Sequence, residues 1–305
     1  MASDNPSADN GFTRSEMYSK NLAGTVDAYD RHIFLCYEDP LSWPSNLEEF
    51  DTHHLPAIFD STLKCRQKDI PAKTKFTVCE AREEDGFSNG DVFIFPDMIK
   101  YRGVLDPMVG FFFKDVMVDG KPWSFGATEN FTGSYVYVCA HGSRDARCGT
   151  CGPALIKKFN KEIELRGLKD QITVTACSHI GGHKYAGNVI IFSPGPDGKT
   201  TGHWYGYVTP NDVPDLLDQH IAKGEVIHQL WRGQMGAPGA TRASKKKKEK
   251  DSRYCRSACG ASCCSYKRQN NQNWPTLESN VLTVVGVLGA VAAVTVAYKL
   301  YRRSG

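Results

Sequence analysis

The amino-acid sequence predicts an α/β protein made of two β-α-β-β-β-α units and one C-terminal transmembrane helix. Three observations support this fold class. Short segments with strand character alternate with longer segments of helical pattern. The same order of segments occurs in residues 30–125 and again in residues 130–236. A later run of 18 uncharged, mostly apolar residues, 281–298, is as long as a helix that crosses a bilayer core.

Each unit is predicted to contain six elements in the same order. In the first unit, strands are predicted at 32–36, 75–79, 91–95 and 98–102, and helices at about 47–63 and 108–118. In the second unit, strands are predicted at 135–139, 172–176, 189–193 and 203–208, and helices at 154–166 and 212–221. A crossover helix between two parallel strands, followed by a hairpin and a closing helix, describes a thioredoxin-like layer. We therefore expect two thioredoxin-like units.

The segments outside these units differ in composition. Residues 1–29 are polar and lack an apolar stretch, which predicts a disordered lead-in and no secretory signal. Residues 237–279 form a charged linker that contains cysteines. We expect the eleven cysteines to be reduced and to face the cytosol. The net charge of +3, with 23% charged residues, is close to balance and predicts no nucleic-acid partner.

Candidate chemistry is concentrated between residues 139 and 183. Cys139 ends a predicted strand, and Cys148 and Cys151 precede the predicted helix that begins near Pro153. A helix N-terminus lowers the pKa of a thiol and favours bound thiolate. His179 and His183 follow the next strand in the segment SHIGGHKYAGN. Two thiolates and two imidazoles suit zinc or iron. This residue set therefore narrows the choice of metal but does not decide between the two.

At these residues the sequence resembles the sucrase/ferredoxin-like family, also described as thioredoxin-like ferredoxins. The segments that carry the resemblance are CAHGSRDARCG, SHIGGHKYAGN and WRGQMG. The resemblance implies a [2Fe-2S] cluster, with Cys139 and Cys148 on one iron and His179 and His183 on the other. It implies an electron-transfer or redox-sensing protein with a redox partner. Imidazole in place of thiolate generally raises the potential of such a centre.

Two other functions use the same residues. The segment Cys148-Gly-Thr-Cys151 lies between a strand and a helix, as the dithiol of a thiol-disulfide oxidoreductase does. The four candidate ligands also match a structural zinc site in residue type, although the spacing is far longer than in a zinc finger. The family name suggests sucrose cleavage, but no pair of carboxylates stands out as a hydrolytic site.

The first unit carries no equivalent set of ligands. It contains Cys36, Cys65 and Cys79, which are predicted to be buried small hydrophobic residues. His53 and His54 are adjacent and cannot both face one site on a helix, so we expect them at the surface. The first unit is therefore expected to be structural or to recruit a partner.

The C-terminal run 281–298 predicts a tail-anchored protein whose bulk faces the cytosol. Its Val/Ala-rich composition, with Lys299, Arg302 and Arg303 behind it, favours a mitochondrial or plastid outer membrane. Four cysteines precede the run, at positions 255, 259, 263 and 264. Their sequence leaves three interpretations open, namely a second metal site, lipidated thiols near a membrane, or a thiol cluster without a defined role.

Overall fold

The computed structural model describes residues 12–13, 17, 19, 21–46, 49–50, 53–195 and 197–236. The strands are β1 (Arg31–Cys36), β2 (Thr74–Cys79), β3 (Val92–Phe95), β4 (Ile99–Tyr101), β5 (Thr128–Asn130), β6 (Ser134–Cys139), β7 (Ile172–Cys177), β8 (Val189–Pro194), β9 (Thr200–Tyr205) and β10 (Trp231–Gln234). The helices are α1 (Leu55–Arg66), α2 (Val109–Phe112), α3 (Ala146–Leu165) and α4 (Val213–Asp215). π-Helical segments, Phe113–Val118 and Leu216–Ile221, continue α2 and α4.

The same strand topology occurs in both halves of the described chain. In the first half, β1 pairs in parallel with β2 and antiparallel with β3, and β3 pairs antiparallel with β4. In the second half, β6 pairs in parallel with β7 and antiparallel with β8, and β8 pairs antiparallel with β9. The crossover between the parallel strands contains α1 in one half and α3 in the other. Each half therefore has the predicted thioredoxin-like order.

The predicted fold class is nevertheless wrong in two respects. The described strands do not form two separate units, because they belong to one ten-stranded sheet in the order β10-β9-β8-β6-β7-β2-β1-β3-β4-β5. No helix in the described part of the chain is long and apolar enough to cross a membrane, and the predicted span 281–298 lies outside that part. The transmembrane helix is therefore not supported as an element of this fold.

The two halves of the sheet are joined at the ends of β2 and β7. These strands run antiparallel, and the register pairs Cys79 with Cys177. Glu80 N–H donates to Ala176 O at 3.0 Å, and Ser178 N–H donates to Val78 O at 2.8 Å. An open edge strand exposes unpaired backbone groups, and this join pairs the ends of the two edge strands with each other.

The sheet folds back on itself at this join, so that the two halves pack face to face. Phe34 of β1 stacks on Tyr137 of β6 with ring centroids 3.7 Å apart, although β2 and β7 lie between these strands in the strand order. Phe95 of β3 stacks on Phe192 of β8 at 3.9 Å. One buried cluster fills this inner layer, and two further clusters lie under the helices of the two halves. The architecture is therefore a four-layer α/β/β/α sandwich.

Several elements differ from their predicted positions for local reasons. Helix α1 begins at Leu55 rather than near residue 47, because Pro56 suits the first helical turn and disfavours helix before it. Helix α3 begins at Ala146 rather than at 154, because Asp145 accepts a hydrogen bond from Arg147 N–H as the N-terminal cap. The strands β5 and β10 were not predicted. β5 has three exposed residues and no alternating pattern.

Candidate metal centre

The two predicted sulfur ligands lie in contact at the end of β6 and the start of α3. Cys139 is the last residue of β6 and Cys148 lies in the first turn of α3, and both side chains are buried. The Cys148 thiol and the His179 ring beside Cys139 lower the pKa of the Cys139 thiol. The pKa of Cys148 is raised, because Cys139 accepts its hydrogen and because the group is buried. The pair therefore favours a thiolate at Cys139.

The two predicted imidazole ligands lie in the loop after β7. The ring centroids of His179 and His183 are 5.7 Å apart. His179 is half-buried and acts directly on Cys139, whereas His183 is exposed. The hydrogen bond from Arg147 is the main cause of the lowered pKa of Asp145 at the start of α3, and the charge of the nearby His183 adds to it. The loop therefore lies near the N-terminus of α3. The site has a buried sulfur side and an imidazole side that opens towards solvent.

His141 is a site residue that the sequence did not single out, although it stands in the segment CAHGSRDARCG. Its Nδ1 accepts a hydrogen bond from His179 N–H at 3.0 Å, and its Nε2 lies 2.8 Å from Pro44 O. A carbonyl oxygen only accepts, so Nε2 carries the hydrogen and the ring is neutral. Burial lowers the pKa of His141 in agreement with this state. His141 therefore fixes the backbone of His179 relative to Cys139.

Asp145 organises the charged part of the loop between Cys139 and Cys148. Its carboxylate accepts from Arg147 Nε at 3.0 Å and from Arg147 Nη2 at 2.9 Å, and it caps α3 through Arg147 N–H. Arg144 instead reaches across to Ser45 O and the side chain of Asn46. The loop is therefore held by its own ion pair and by a contact with the segment that follows β1.

Cys151, the second thiol of the predicted dithiol, lies one turn further along α3. Cys148 and Cys151 are both 0% exposed and belong to the inner cluster between the two halves of the sheet. A thiol that exchanges disulfides needs access to its partner and a lowered pKa. Cys148 has neither, because its side chain is buried and its pKa is raised. The geometry therefore disfavours the oxidoreductase alternative.

The four predicted ligands are two thiols and two imidazoles, and this donor set is compatible with more than one metal. Among the residues that the structure describes, no group of three or more His, Cys, Asp or Glu side chains is placed to hold a metal ion. Two sulfur and two imidazole donors also make up a mixed [2Fe-2S] centre, with two ligands for each iron. The chemistry of the donors therefore suits the implied [2Fe-2S] group, and it suits zinc as well.

Comparison with known proteins identifies relatives that match this chain over segments of different length. Altered inheritance of mitochondria protein 32 from Debaryomyces hansenii is 44% identical over 101 residues, which cover 33% of this chain and 35% of that protein. The protein of the same name from Kluyveromyces lactis is 28% identical over 268 positions, covering 73% and 80%. Actin patches distal protein 1 from Saccharomyces cerevisiae is 34% identical over 100 residues, covering 30% and 31%. The match to the first of these relatives spans about a third of its length.

Comparison with solved structures finds a thioredoxin-like [2Fe-2S] ferredoxin from Aquifex aeolicus. It aligns at 21% identity with a TM-score of 0.30, and the alignment covers 36% of this chain and 99% of that one. The family model described as sucrase/ferredoxin-like matches residues 22–233, which include both halves of the sheet and all four predicted ligands. The resemblance seen in the sequence motifs is confirmed, and the chain belongs to the sucrase/ferredoxin-like family.

Proposed function

We propose that this chain is a one-electron redox protein that holds a [2Fe-2S] cluster. Cys139 and Cys148 would bind one iron, and His179 and His183 the other. The observation that carries the proposal is that the Cys148 thiol and the His179 imidazole both lie close enough to Cys139 to act on its thiol. Three of the proposed ligands, from β6, from α3 and from the loop after β7, are therefore neighbours. When bound, the cluster supplies a one-electron couple.

The surroundings of the ligands support a role in electron transfer or redox sensing. The buried sulfurs keep water from one side of the site. The exposed His183 marks the side from which a redox partner protein can approach. His141 carries its hydrogen on Nε2 and holds the His179 backbone, so it orients a proposed ligand without being one. This arrangement lets the protein exchange electrons at its surface while the thiolates stay protected.

Anaerobic iron-sulfur reconstitution of the full chain tests the proposal. We expect two irons and two sulfides per chain, with absorption and paramagnetic resonance spectra of a mixed Cys/His [2Fe-2S] centre. Alanine at Cys139, Cys148, His179 or His183 should abolish the normal spectrum, and Cys151→Ala should leave it largely intact. A colourless wild-type protein would refute the proposal. Bleaching by Cys151→Ala but not by Cys139→Ala would refute the ligand assignment.

A mitochondrial association is a separate part of the proposal. It is supported by the names of the relatives from Debaryomyces hansenii and Kluyveromyces lactis, which refer to the inheritance of mitochondria. Imaging of a fluorescent fusion of the full chain against a mitochondrial marker tests this location. Signal that does not overlap with the marker would refute the mitochondrial association.

A further inference from the structure

Arg232 is a buried cation that the proposed ligand set does not use. It lies in β10 at a shift in register, since Trp231 pairs with Tyr205 and Gly233 pairs with Trp204. Arg232 is therefore the additional residue of a β-bulge, a feature that re-aims a side chain and is frequent next to functional sites. The Arg232 side chain is directed into the protein, and the residue is 3% exposed.

The guanidinium group of Arg232 holds the loop that carries the two histidines. Its Nη1 donates to Gly181 O at 3.1 Å and to Asn188 Oδ1 at 2.7 Å. Asn188 in turn donates from Nδ2 to Gly182 O at 3.0 Å. Arg232 and Asn188 therefore fix both glycine carbonyls between His179 and His183.

The rest of the Arg232 side chain is fixed as well. Nε donates to Thr25 Oγ1 at 3.1 Å, and the guanidinium carbon lies 4.8 Å from the centroid of the Tyr185 ring. Gly182 has a φ of +74°, and a Cβ at this position would collide with the guanidinium group. The loop thus approaches Arg232 so closely that only glycine fits there.

The positive charge of Arg232 has no carboxylate partner within the described part of the chain. The ionisable groups that favour its charged form are Tyr185 and Cys139. Burial lowers the pKa of Arg232 to about 10, so the group remains protonated at neutral pH. A buried charge without a counter-charge costs free energy. A negative charge at the neighbouring metal centre would offset this cost.

We propose that Arg232 is a positioning residue of the metal centre, which holds the His179–His183 loop in place and supplies a fixed positive charge that favours the reduced state. This inference rests on the proposed function. Reduction adds one negative charge to the site, and a nearby cation stabilises that charge. Loss of the cation should therefore make reduction harder.

Optical redox titration of the reconstituted full chain tests the effect of the charge. Arg232→Met should shift the midpoint to a more negative value by at least about 59 mV, a tenfold change in a one-electron equilibrium. Arg232→Lys keeps the charge, and its midpoint should lie close to the wild-type value. Asn188→Asp is a second variant, which places a carboxylate against the intact guanidinium group and should lower the midpoint in the same direction.

Arg166→Met is the matched control, because Arg166 forms its ion pairs with Glu162 and Asp218 at the far end of α3. This variant should keep the wild-type midpoint. A wild-type midpoint in both Arg232→Met and Asn188→Asp would overturn the role of the charge. An equal shift in Arg166→Met would overturn it too, because the effect would then not be specific to Arg232.

Hydrogen exchange of the metal-free chain tests the loop separately from the cluster. Tyr185 N–H and Ala186 N–H donate to Gly182 O and His183 O at 2.8 and 3.0 Å. Both amides should exchange faster in Arg232→Met than in wild type or Arg166→Met. Unchanged exchange would overturn the positioning role. If wild-type chain takes up no iron, the proposed function fails, whereas faster exchange in Arg232→Met still supports the positioning role.

Discussion

The backbone N–H of His179 donates a hydrogen bond to Nδ1 of His141 at 3.0 Å. This bond ties the loop after β7 to the strand end that carries Cys139. The same imidazole bonds Pro44 O on its other side, so a single buried ring links three segments that are distant in sequence. The position of a proposed ligand therefore depends on a residue that does not contact the metal itself.

We expect His141→Ala to weaken both the fold and the metal centre. The change leaves His179 N–H and Pro44 O without their partner, and an unsatisfied buried group costs about 1–3 kcal/mol. Denaturant unfolding of the metal-free chain measures the stability, and iron content after reconstitution measures the site. His53→Ala is the control, because His53 is exposed in the turn before α1. Wild-type stability and iron content in His141→Ala would contradict the prediction.

The second prediction concerns Phe34 and Tyr137, which stack between the two halves of the sheet. Phe34→Ala should lower the free energy of unfolding by about 3–5 kcal/mol, because it leaves a cavity in a packed interior. The Tyr137 hydroxyl is buried and has no hydrogen-bond partner among the described residues. Tyr137→Phe should therefore leave stability unchanged or raise it by about 1 kcal/mol. A large loss in Tyr137→Phe would show that the hydroxyl has a partner.

Two histidines away from the metal centre, the partly buried His203 and the buried His220, predict a dependence of stability on pH. The rings of His203 and His220 are 4.7 Å apart. Burial lowers the pKa of His203 to about 4 and that of His220 to about 3. In the unfolded chain both histidines take up a proton near pH 6.5. Their contribution to the free energy of unfolding is therefore fully present above that pH and falls as the pH decreases towards 4. Each histidine contributes a slope of up to about 1.4 kcal/mol per pH unit.

His220→Phe should reduce this slope, because it removes one of the two proton-binding groups. Urea unfolding at pH 7, 6 and 5 measures the free energy of unfolding for the wild type and the variant. Carboxylates contribute equally to both proteins, so the difference in slope isolates His220. Parallel curves would contradict the assignment of a lowered pKa to this residue.

Thiol labelling tests the burial of the candidate dithiol. In the native, metal-free chain, Cys148 and Cys151 should react with a maleimide more slowly than the partly exposed Cys65. Peptide mapping by mass spectrometry assigns the label to each cysteine, and the denatured chain gives the unhindered rates. Fast labelling of Cys148 in the native chain would revive the oxidoreductase alternative.

The sequence by itself determined the local elements of this protein and their order. The apolar run in residues 32–36 predicted β1, the alternating pattern in residues 135–138 predicted β6, and later apolar segments predicted the parallel partners β2 and β7. The motifs also predicted the family, and they named the four candidate ligands. These features were accessible because strand periodicity and ligand motifs lie within short segments of the chain. The domain boundaries and the absence of a nucleic-acid partner stay predictions.

Only the tertiary structure decided how the two halves combine and how the site is supported. The pairing of Cys79 with Cys177 and the stack of Phe34 on Tyr137 join residues about a hundred positions apart. Arg232 reaches the histidine loop from a strand that has no clear periodic pattern. Such contacts depend on the path of the whole chain. A short segment therefore does not encode them.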